Sequence, residues 1–495
     1  MQQYWLGIDA GTTAIKAAVY RSDGTRVSFG ETASEVLLGE QGRAEQSMET
    51  VWQGVCRAVR EAVADIDVTQ IRSIGLAAQG DGFWALDRRG EPVGNAILWN
   101  DTRAAQGVAR LYDSGQARAI GHACHTAIWP GTAGTIFQWL QQAEPDRAAA
   151  VDRVFYCADW VGYCLTGQIA TDYSNASIPF LDLESRNYDL EALQVLGSAR
   201  LARMLNSPRK ATDRLGSVSR KASESTGLPE GLPVSVGTMD LSAMLVGMGM
   251  ENPDETMMIL GTTAVVTTLT DRVERKDQPV GATAYHANGE ILTRILAPTT
   301  GAAAFDWFCG LHPKTLGGGS AAEIAARLNA LVEKVPPGAN GLTFLPYLNG
   351  ERAPFVAPSA RGSFFGLSSS STKADMGRAV MEGAAFSLRH CVEMEGGRPQ
   401  GAVRLTGGGA RNRLWCQIIA DVMQAPMLVS EASDHGLWGA ACLGAAAAGE
   451  GDACKLARRE EKLLCHDPDP AVADAYDAAF ARYLALSEAC LALWN

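Results

Sequence analysis

The feature that most restricts how this chain folds is a strand, turn, strand unit that occurs twice. Tyr4-Trp5-Leu6-Gly7-Ile8 is an apolar run, Asp9 to Thr13 is small and polar, and Ala14 to Tyr20 is apolar again, closing at Ser22-Asp23-Gly24. In the second half of the chain, Thr256-Met257-Met258-Ile259-Leu260, Gly261-Thr262-Thr263 and Ala264-Val265-Val266 repeat the arrangement. A hairpin tip of Gly and Thr offers hydroxyls, little side-chain bulk and free backbone amides, the chemistry that grips phosphate oxygens. Either tip alone also reads as a plain turn. The repetition implies two related domains, each lending one phosphate loop to a shared cleft.

Between the two hairpins, Leu232 to Val236 is apolar and runs through Gly237-Thr238-Met239-Asp240 into the small-residue segment Ala243 to Met250. A strand that ends in Gly and passes into a helix places Asp240 in the first helical turn, where the helix dipole favours a carboxylate. Asp240 is the candidate general base, set against the plainer reading that it caps the helix.

At 495 residues the chain exceeds what one core usually supports, so two domains are expected. The formal charge of -12 argues against a nucleic-acid surface, which needs clustered Lys and Arg. The eleven cysteines are scattered, and no basic-apolar leader opens the chain, so a cytoplasmic location with reduced thiols is expected. His122, Cys124 and His125 lack the second ligand pair of a structural zinc site. No apolar run reaches the ~18 residues of a membrane span, and no membrane partner is expected.

Val51 to Ala64 has helical spacing. Ile71 to Ala77 is a β-branched run ending at Ala78-Gln79-Gly80-Asp81-Gly82, and polar groups directly after a buried strand sit at a sheet's carboxyl edge, where open α/β sheets place ligands. Ala96 to Trp99 reads as another strand leading to Asn100-Asp101-Thr102-Arg103, with Asp101 and Arg103 best explained as a structural ion pair. Asp81 is the better ligand candidate, because a carboxylate accepts from sugar hydroxyls. Residues 135–167 read as helical with Gly167 as C-cap, and residues 168–215 as a smaller insertion over the cleft. Further on, Leu342 to Leu348 reads as a strand and Asp375 to Glu393 as an amphipathic helix. Val403 to Thr406 meets Gly407-Gly408-Gly409-Ala410-Arg411-Asn412, whose glycines let a flat ring approach the backbone. That turn lacks both the dinucleotide G-x-G-x-x-G spacing and the G-K-[ST] of a P-loop.

Taken in order, Gly7-Ile8-Asp9-Ala10-Gly11-Thr12-Thr13, Ala96 to Arg103, Asp240, Gly261-Thr262-Thr263, Phe344 to Arg352 and Gly407 to Asn412 resemble the FGGY carbohydrate kinases over nearly the whole chain. The resemblance implies an α/β fold of two actin-like (ribonuclease H-like) domains flanking an interdomain cleft. The expected parts are residues 1–245 for the acceptor and first phosphate loop, 246–450 for the nucleotide, and a C-terminal helical extension over 451–495. It implies ATP and Mg²⁺, with Asp9 at the metal and Asp240 as catalytic base. Gly11, Thr12, Thr13, Lys16, Gly261, Thr262, Thr263, Gly408, Gly409 and Asn412 would contact the nucleotide, and Gln79, Gly80, Asp81, Trp99 and Asp240 the acceptor. Where xylulokinases carry Gln-Met-His-Gly and glycerol kinases Gln-Arg-Glu, Gln79-Gly80-Asp81-Gly82 looks more like erythritol kinases and, less closely, L-xylulose kinases. The expected partner is a C4–C5 ketose or polyol, xylulose first, together with ATP and with a homodimer as the expected assembly. The rival of another class is an actin-like nucleotide-binding sugar sensor that phosphorylates nothing.

Overall fold

The computed structural model describes residues 3–178, 181–272, 279–311 and 318–494, so Pro179 and Phe180 of the 168–215 insertion lie outside the described residues. The chain forms two compact units, each assembled from segments that are not contiguous: Met1–Asn252, Thr270–Thr293 and Ala432–Glu460 in the first, Pro253–Leu269, Arg294–Glu431 and Glu461–Asn495 in the second.

In the first unit the N-terminal hairpin is β1 (Tyr4–Ala10) and β2 (Ala14–Arg21), followed by β3 (Arg26–Ala33). Helix α1 (Met48–Val63) then leads to β4 (Ile71–Ala78), which lies parallel to β1. β5 (Arg214–Ser217), β6 (Pro233–Ser235) and the two-residue β7 (Thr238–Met239) complete the sheet, in the order β5-β6-β4-β1-β2-β3 with β7 also on β4. Side chains along β1 alternate. Leu6 and Ile8 pack with Val55 and Val59 of α1 in one core cluster, while Trp5 points to the other face and stacks on Trp438. Each such aliphatic side chain taken out of water contributes about 1.5–3 kcal/mol.

That second face is covered by helix α5 (His435–Ala447), which comes from far along the chain. Its small residues permit backbone-to-backbone contact. A Cβ on Gly75 of β4 would collide with the Ala440 carbonyl, and one on Gly439 with the Ala243 carbonyl of helix α2 (Asp240–Gly247). The Ala440 to Ala448 run is therefore a close-packing surface, and it fixes α2, the helix that begins with Asp240.

The second unit repeats the plan. The hairpin β8 (Thr256–Leu260) and β9 (Ala264–Thr270) is joined by β10 (Val403–Thr406), parallel to β8 as β4 is to β1. β11 (Met427–Ser430) and the antiparallel β12 (Leu463–His466) continue the order β9-β8-β10-β11-β12. Helices α3 (Lys373–Met394) and α4 (Arg413–Met423) belong to this unit.

Three local expectations need correction. The helical pattern over 135–167 is broken by a strand, Arg153–Phe155, that pairs with Trp84–Leu86; three residues are too few to show a period of their own, and the partner strand decides. The strand expected over 96–99 is shorter, Ala96–Ile97. The stretch read as a C-terminal helical extension also supplies β12, because Leu463 to His466 finds the free edge of β11.

Candidate active site

Three parallel strands of the first unit end side by side, and the chain leaves each of them through a sequence-flagged residue. In register, Asp9 of β1 lies opposite Ala77 of β4, and Thr238 of β7 opposite Ala77 on the other side. The strand ends therefore deliver Asp9 and Gly11, then Gln79-Gly80-Asp81, then Asp240, to one sheet edge.

Asp240 is the first residue of α2, and the cap position before it is Met239, which makes no side-chain bond. Its Oδ1 accepts from the next amide, Leu241 N, at 2.7 Å. The residue is exposed, yet protein around the carboxyl displaces enough water to lift its pKa to about 6. Asp9 is pushed up to about 7, chiefly by burial and further by the charge of Asp240, with Lys16, its cross-strand partner on β2, acting in the opposite direction. Asp9 Oδ1 is buried with no hydrogen-bond partner. A partnerless carboxylate oxygen beside a second carboxylate is the donor set a hard divalent cation satisfies, so Asp9 and its surroundings fit Mg²⁺.

The first Gly-Thr-Thr tip is held by a chain of side chains. Gln79 Nε2 donates to Gln46 Oε1 at 2.6 Å, Gln46 Nε2 donates to the Thr12 carbonyl at 3.2 Å and to Ser34 Oγ at 2.8 Å, and Thr12 Oγ1 donates to Gln79 Oε1 at 2.9 Å. The Trp99 indole N–H in turn donates to Thr12 Oγ1 at 3.2 Å. Gln79 thus spends its amide on positioning the tip, and Thr12 has its hydroxyl engaged, while Thr13 is exposed.

Asp81 has a left-handed backbone (φ 59°), followed by Gly82 (φ 83°), a turn that Asp and Gly tolerate better than other residues. Its side chain is buried, and neither carboxylate oxygen has a hydrogen-bond partner of normal geometry, although the Gly82 and Ala133 amides and Trp129 lie close enough to influence it. Burial pushes this carboxyl well above the usual range. A Cβ on Gly80 would stand 3.0 Å from Met239 Cβ and 3.7 Å from Asn175 Oδ1, so the bare Gly80 backbone leaves room there. Asn175 belongs to the 168–215 insertion, to which the sequence assigns no chemistry. It is placed by Asp172, which accepts from Asn175 Nδ2 at 2.7 Å and from Thr238 Oγ1 of β7 at 2.8 Å. Asn175 and Trp129 are neighbours of the Gln79-Gly80-Asp81 segment that sequence reasoning missed; the only signal was the polar Thr171 to Ser177 run. The Asp101–Arg103 pair is as expected: bidentate, buried, and extended to Glu45 at 2.8 Å.

In the second unit the Gly261-Thr262-Thr263 tip is braced differently, by Gly301 N to the Thr262 carbonyl at 3.0 Å and Ala302 N to the Gly261 carbonyl at 2.6 Å, which leaves both threonines exposed. β10 is followed directly by Gly407 (φ 97°), and nothing lies within 4 Å of the position a Cβ on Gly408 would take. Asn412 caps α4 through Trp415 N at 3.2 Å and donates to Asn329 Oδ1 at 3.0 Å, so its side chain orders the turn. Gly409 packs against Leu260 of β8.

Residues 4–247 match the N-terminal domain, and residues 256–448 the C-terminal domain, of the FGGY family of carbohydrate kinases, and the chain belongs to that family. Among curated relatives it is 28% identical to a probable L-xylulose kinase of Pasteurella multocida (99% of both chains), 29% to the erythritol kinase of Brucella abortus (99% of this chain, 97% of the other) and 30% to the L-xylulose/3-keto-L-gulonate kinase of Escherichia coli (89% and 87%). A solved gluconate kinase of Lactobacillus acidophilus superposes with a TM-score of 0.92 at 23% identity, covering 100% of this chain and 99% of that one, which establishes the shared actin-like fold. The protein is a sugar phosphotransferase. No helix among the described residues is long and apolar enough to cross a membrane.

Proposed function

We propose that the protein transfers the γ-phosphate of ATP to a terminal hydroxyl of a small ketose or polyol, with Asp240 as the general base. The observation that carries this reading is Asp240 itself: exposed, on the first turn of α2, with a pKa of about 6 that leaves it ionised yet basic near neutrality. The acceptor hydroxyl gives its proton to Asp240 as its oxygen attacks the γ-phosphorus, and the bond from that phosphorus to the bridging oxygen breaks to release ADP. Asp9 would hold Mg²⁺, directly or through water, and when bound the metal supplies charge neutralisation at the phosphate oxygens. Thr13 with the amides of the first tip, and Gly261, Thr262 and Thr263 of the second, hold phosphate oxygens; Lys16 tempers the negative charge around Asp9. Gly408 and Gly409 leave their backbone open to a base, in a turn that Asn412 keeps in shape. Gln79, Gly80, Asp81 and Trp99 form the acceptor side, Gln79 by holding the tip and Asp81 by accepting from a hydroxyl.

The relatives are themselves named for L-xylulose, erythritol and 3-keto-L-gulonate, which supports a small sugar-derived acceptor. The Gln79-Gly80-Asp81 segment favours a C4–C5 ketose or polyol, xylulose first. The test is ADP release from ATP·Mg²⁺ across both xylulose enantiomers, ribulose, erythritol, arabitol, xylitol and glycerol. Strong stimulation by one of them is expected, and stimulation by none removes this substrate class.

A further inference from the structure

A cluster of cations stands apart from the strand ends that carry Asp9, Asp81 and Asp240. Strand Trp84–Leu86 pairs antiparallel with Arg153–Phe155, Trp84 opposite Phe155 and Leu86 opposite Arg153. The Trp84 end of this two-stranded ribbon follows Asp81-Gly82-Phe83. The other end, away from Asp81, opens on a cleft of about 790 Å³ between the turn that begins at Asp87, residues 149–152 and the 3₁₀ turn Ala199–Arg203. Arg88, Arg89, Arg200 and Arg203 all line it. On a chain with a formal charge of -12 such a gathering is local, not a general property of the surface.

The acids of the cleft do not neutralise these arginines. Asp87 Oδ1 accepts from Arg89 N at 2.8 Å and from Glu91 N at 3.0 Å, so this carboxylate shapes the turn that presents Arg88 and Arg89. Asp152 stands 3.8 Å from Arg88 and 3.6 Å from Arg153, two loose surface pairs that share one carboxylate. Among the described residues, no carboxylate or other acceptor engages the guanidinium of Arg89, Arg200 or Arg203; Arg200 lies only over the Phe137 ring, 5.8 Å from its centroid. The segments that carry them are anchored to the ribbon. Asp152 N donates to the Leu86 carbonyl at 2.9 Å and Val154 N to the Met204 carbonyl at 3.1 Å, while Leu201 is buried beneath the 3₁₀ turn.

A guanidinium offers a planar fork of N–H donors that meets phosphate oxygens two at a time, and the cleft has the volume of a small-molecule site. Val151 and Met204, both buried, add apolar lining beside the charges. We propose that this cleft binds the phosphoryl group of a phosphorylated small molecule, with Arg89, Arg200 and Arg203 as its ligands and Val151 and Met204 against the carbon skeleton. The site is independent of the reaction proposed above and of the two Gly-Thr-Thr tips.

Hydrogen–deuterium exchange of the full chain, in chloride, inorganic phosphate, ribose 5-phosphate or citrate at matched ionic strength, reads the cleft separately from the nucleotide tips, because peptides covering 87–91 and 199–204 contain neither tip. Two or three charge-assisted bonds at a surface correspond to half-saturation near ~1 mM, so phosphate at ~20 mM is expected to slow exchange there by up to ~20-fold. Ribose 5-phosphate is expected to act at lower concentration than phosphate, and citrate and chloride to give no protection. Arg89→Gln combined with Arg203→Gln changes two exposed side chains, so Tm and turnover should stay as in the wild type. Half-saturation in that variant is expected to rise at least ~10-fold, which leaves ~3-fold protection or less at the same phosphate concentration. Absence of protection in ~50 mM phosphate, equal protection by citrate, or protection unaltered in the double variant overturns the proposal.

Discussion

The charge of Asp240 bears directly on Asp9: the two carboxyls stand at the ends of β7 and β1, flanking β4, and Asp9 is lifted to about 7 in part because Asp240 is near. Two neighbouring acids, both held above the usual carboxylate range, make an arrangement that serves chemistry better than stability.

Asp240→Asn removes the base while preserving shape. Turnover is expected to fall by about 10²–10⁴-fold, the usual worth of a positioned base, with nucleotide affinity changed little. Single-turnover ADP release alongside equilibrium nucleotide titration checks both halves, and near-normal turnover would exclude Asp240 from the mechanism. In the same variant Asp9 loses a repulsive neighbour, so its carboxyl titration, followed by NMR, moves to lower pH.

The base must be deprotonated to act. With a folded pKa of about 6 for Asp240, kcat/KM measured at saturating Mg²⁺, which keeps Asp9 ionised, is expected to be level above pH 7 and to drop about tenfold per pH unit well below 6. A pH profile whose acidic limb lies near 4 would mean that this carboxyl is not the titrating group.

Stability should run the other way with pH. Both carboxyls hold protons more tightly folded than their unfolded value near 3.8, so their contribution is full below that value and is lost as pH rises through about 6 and 7. In metal-free buffer at pH 8, Asp9→Asn is expected to have a higher Tm than the wild type, and the gain should vanish toward pH 4. Mg²⁺ should raise the Tm of the wild type and not that of the variant; thermal scans across pH with and without Mg²⁺ decide it.

Gln79 touches the first Gly-Thr-Thr tip through its side chain. Gln79→Ala frees Thr12 and breaks the link to Gln46, so KM for ATP is expected to rise by about tenfold, the value of one to two hydrogen bonds, and at least as much as KM for the acceptor. Initial rates with each substrate varied in turn distinguish this from a purely acceptor-binding role.

Gly439 lies against the Ala243 carbonyl, one turn inside the helix that begins with Asp240. Gly439→Val is expected to cost about 1–3 kcal/mol or more by forcing α5 away from α2, and to lower kcat with no change of charge in the site. Urea unfolding and kcat are the measurements.

Much of this was legible in the residues. The two hairpins fall where the Gly-Thr-Thr tips place them, α1 and α3 follow their apolar spacing, and the Asp101–Arg103 pair forms as a two-residue separation between opposite charges suggests. Such features depend on neighbours a few positions away. The strand Arg153–Phe155, the edge strand Leu463–His466 and the packing role of His435–Ala447 depend on distant partners, and three or four apolar residues carry no sign of which partner they will meet. Asn175 was illegible for the same reason: its place beside Gly80 comes from Asp172 and Thr238, well over sixty positions apart in sequence yet 2.8 Å apart in space.

By itself the sequence determined the repeated hairpin plan, the membership of a kinase family, and which acids and glycines sit at strand ends, because strand, turn and helix start are each specified within a few residues. Tertiary structure alone decided the electrostatic state of those acids and the use of their neighbours. The pKa of Asp240, the missing partners of Asp81 and the commitment of Gln79 to Thr12 follow from how much water and which donors the folded surroundings leave within reach, a property that no single segment possesses before the strands are assembled.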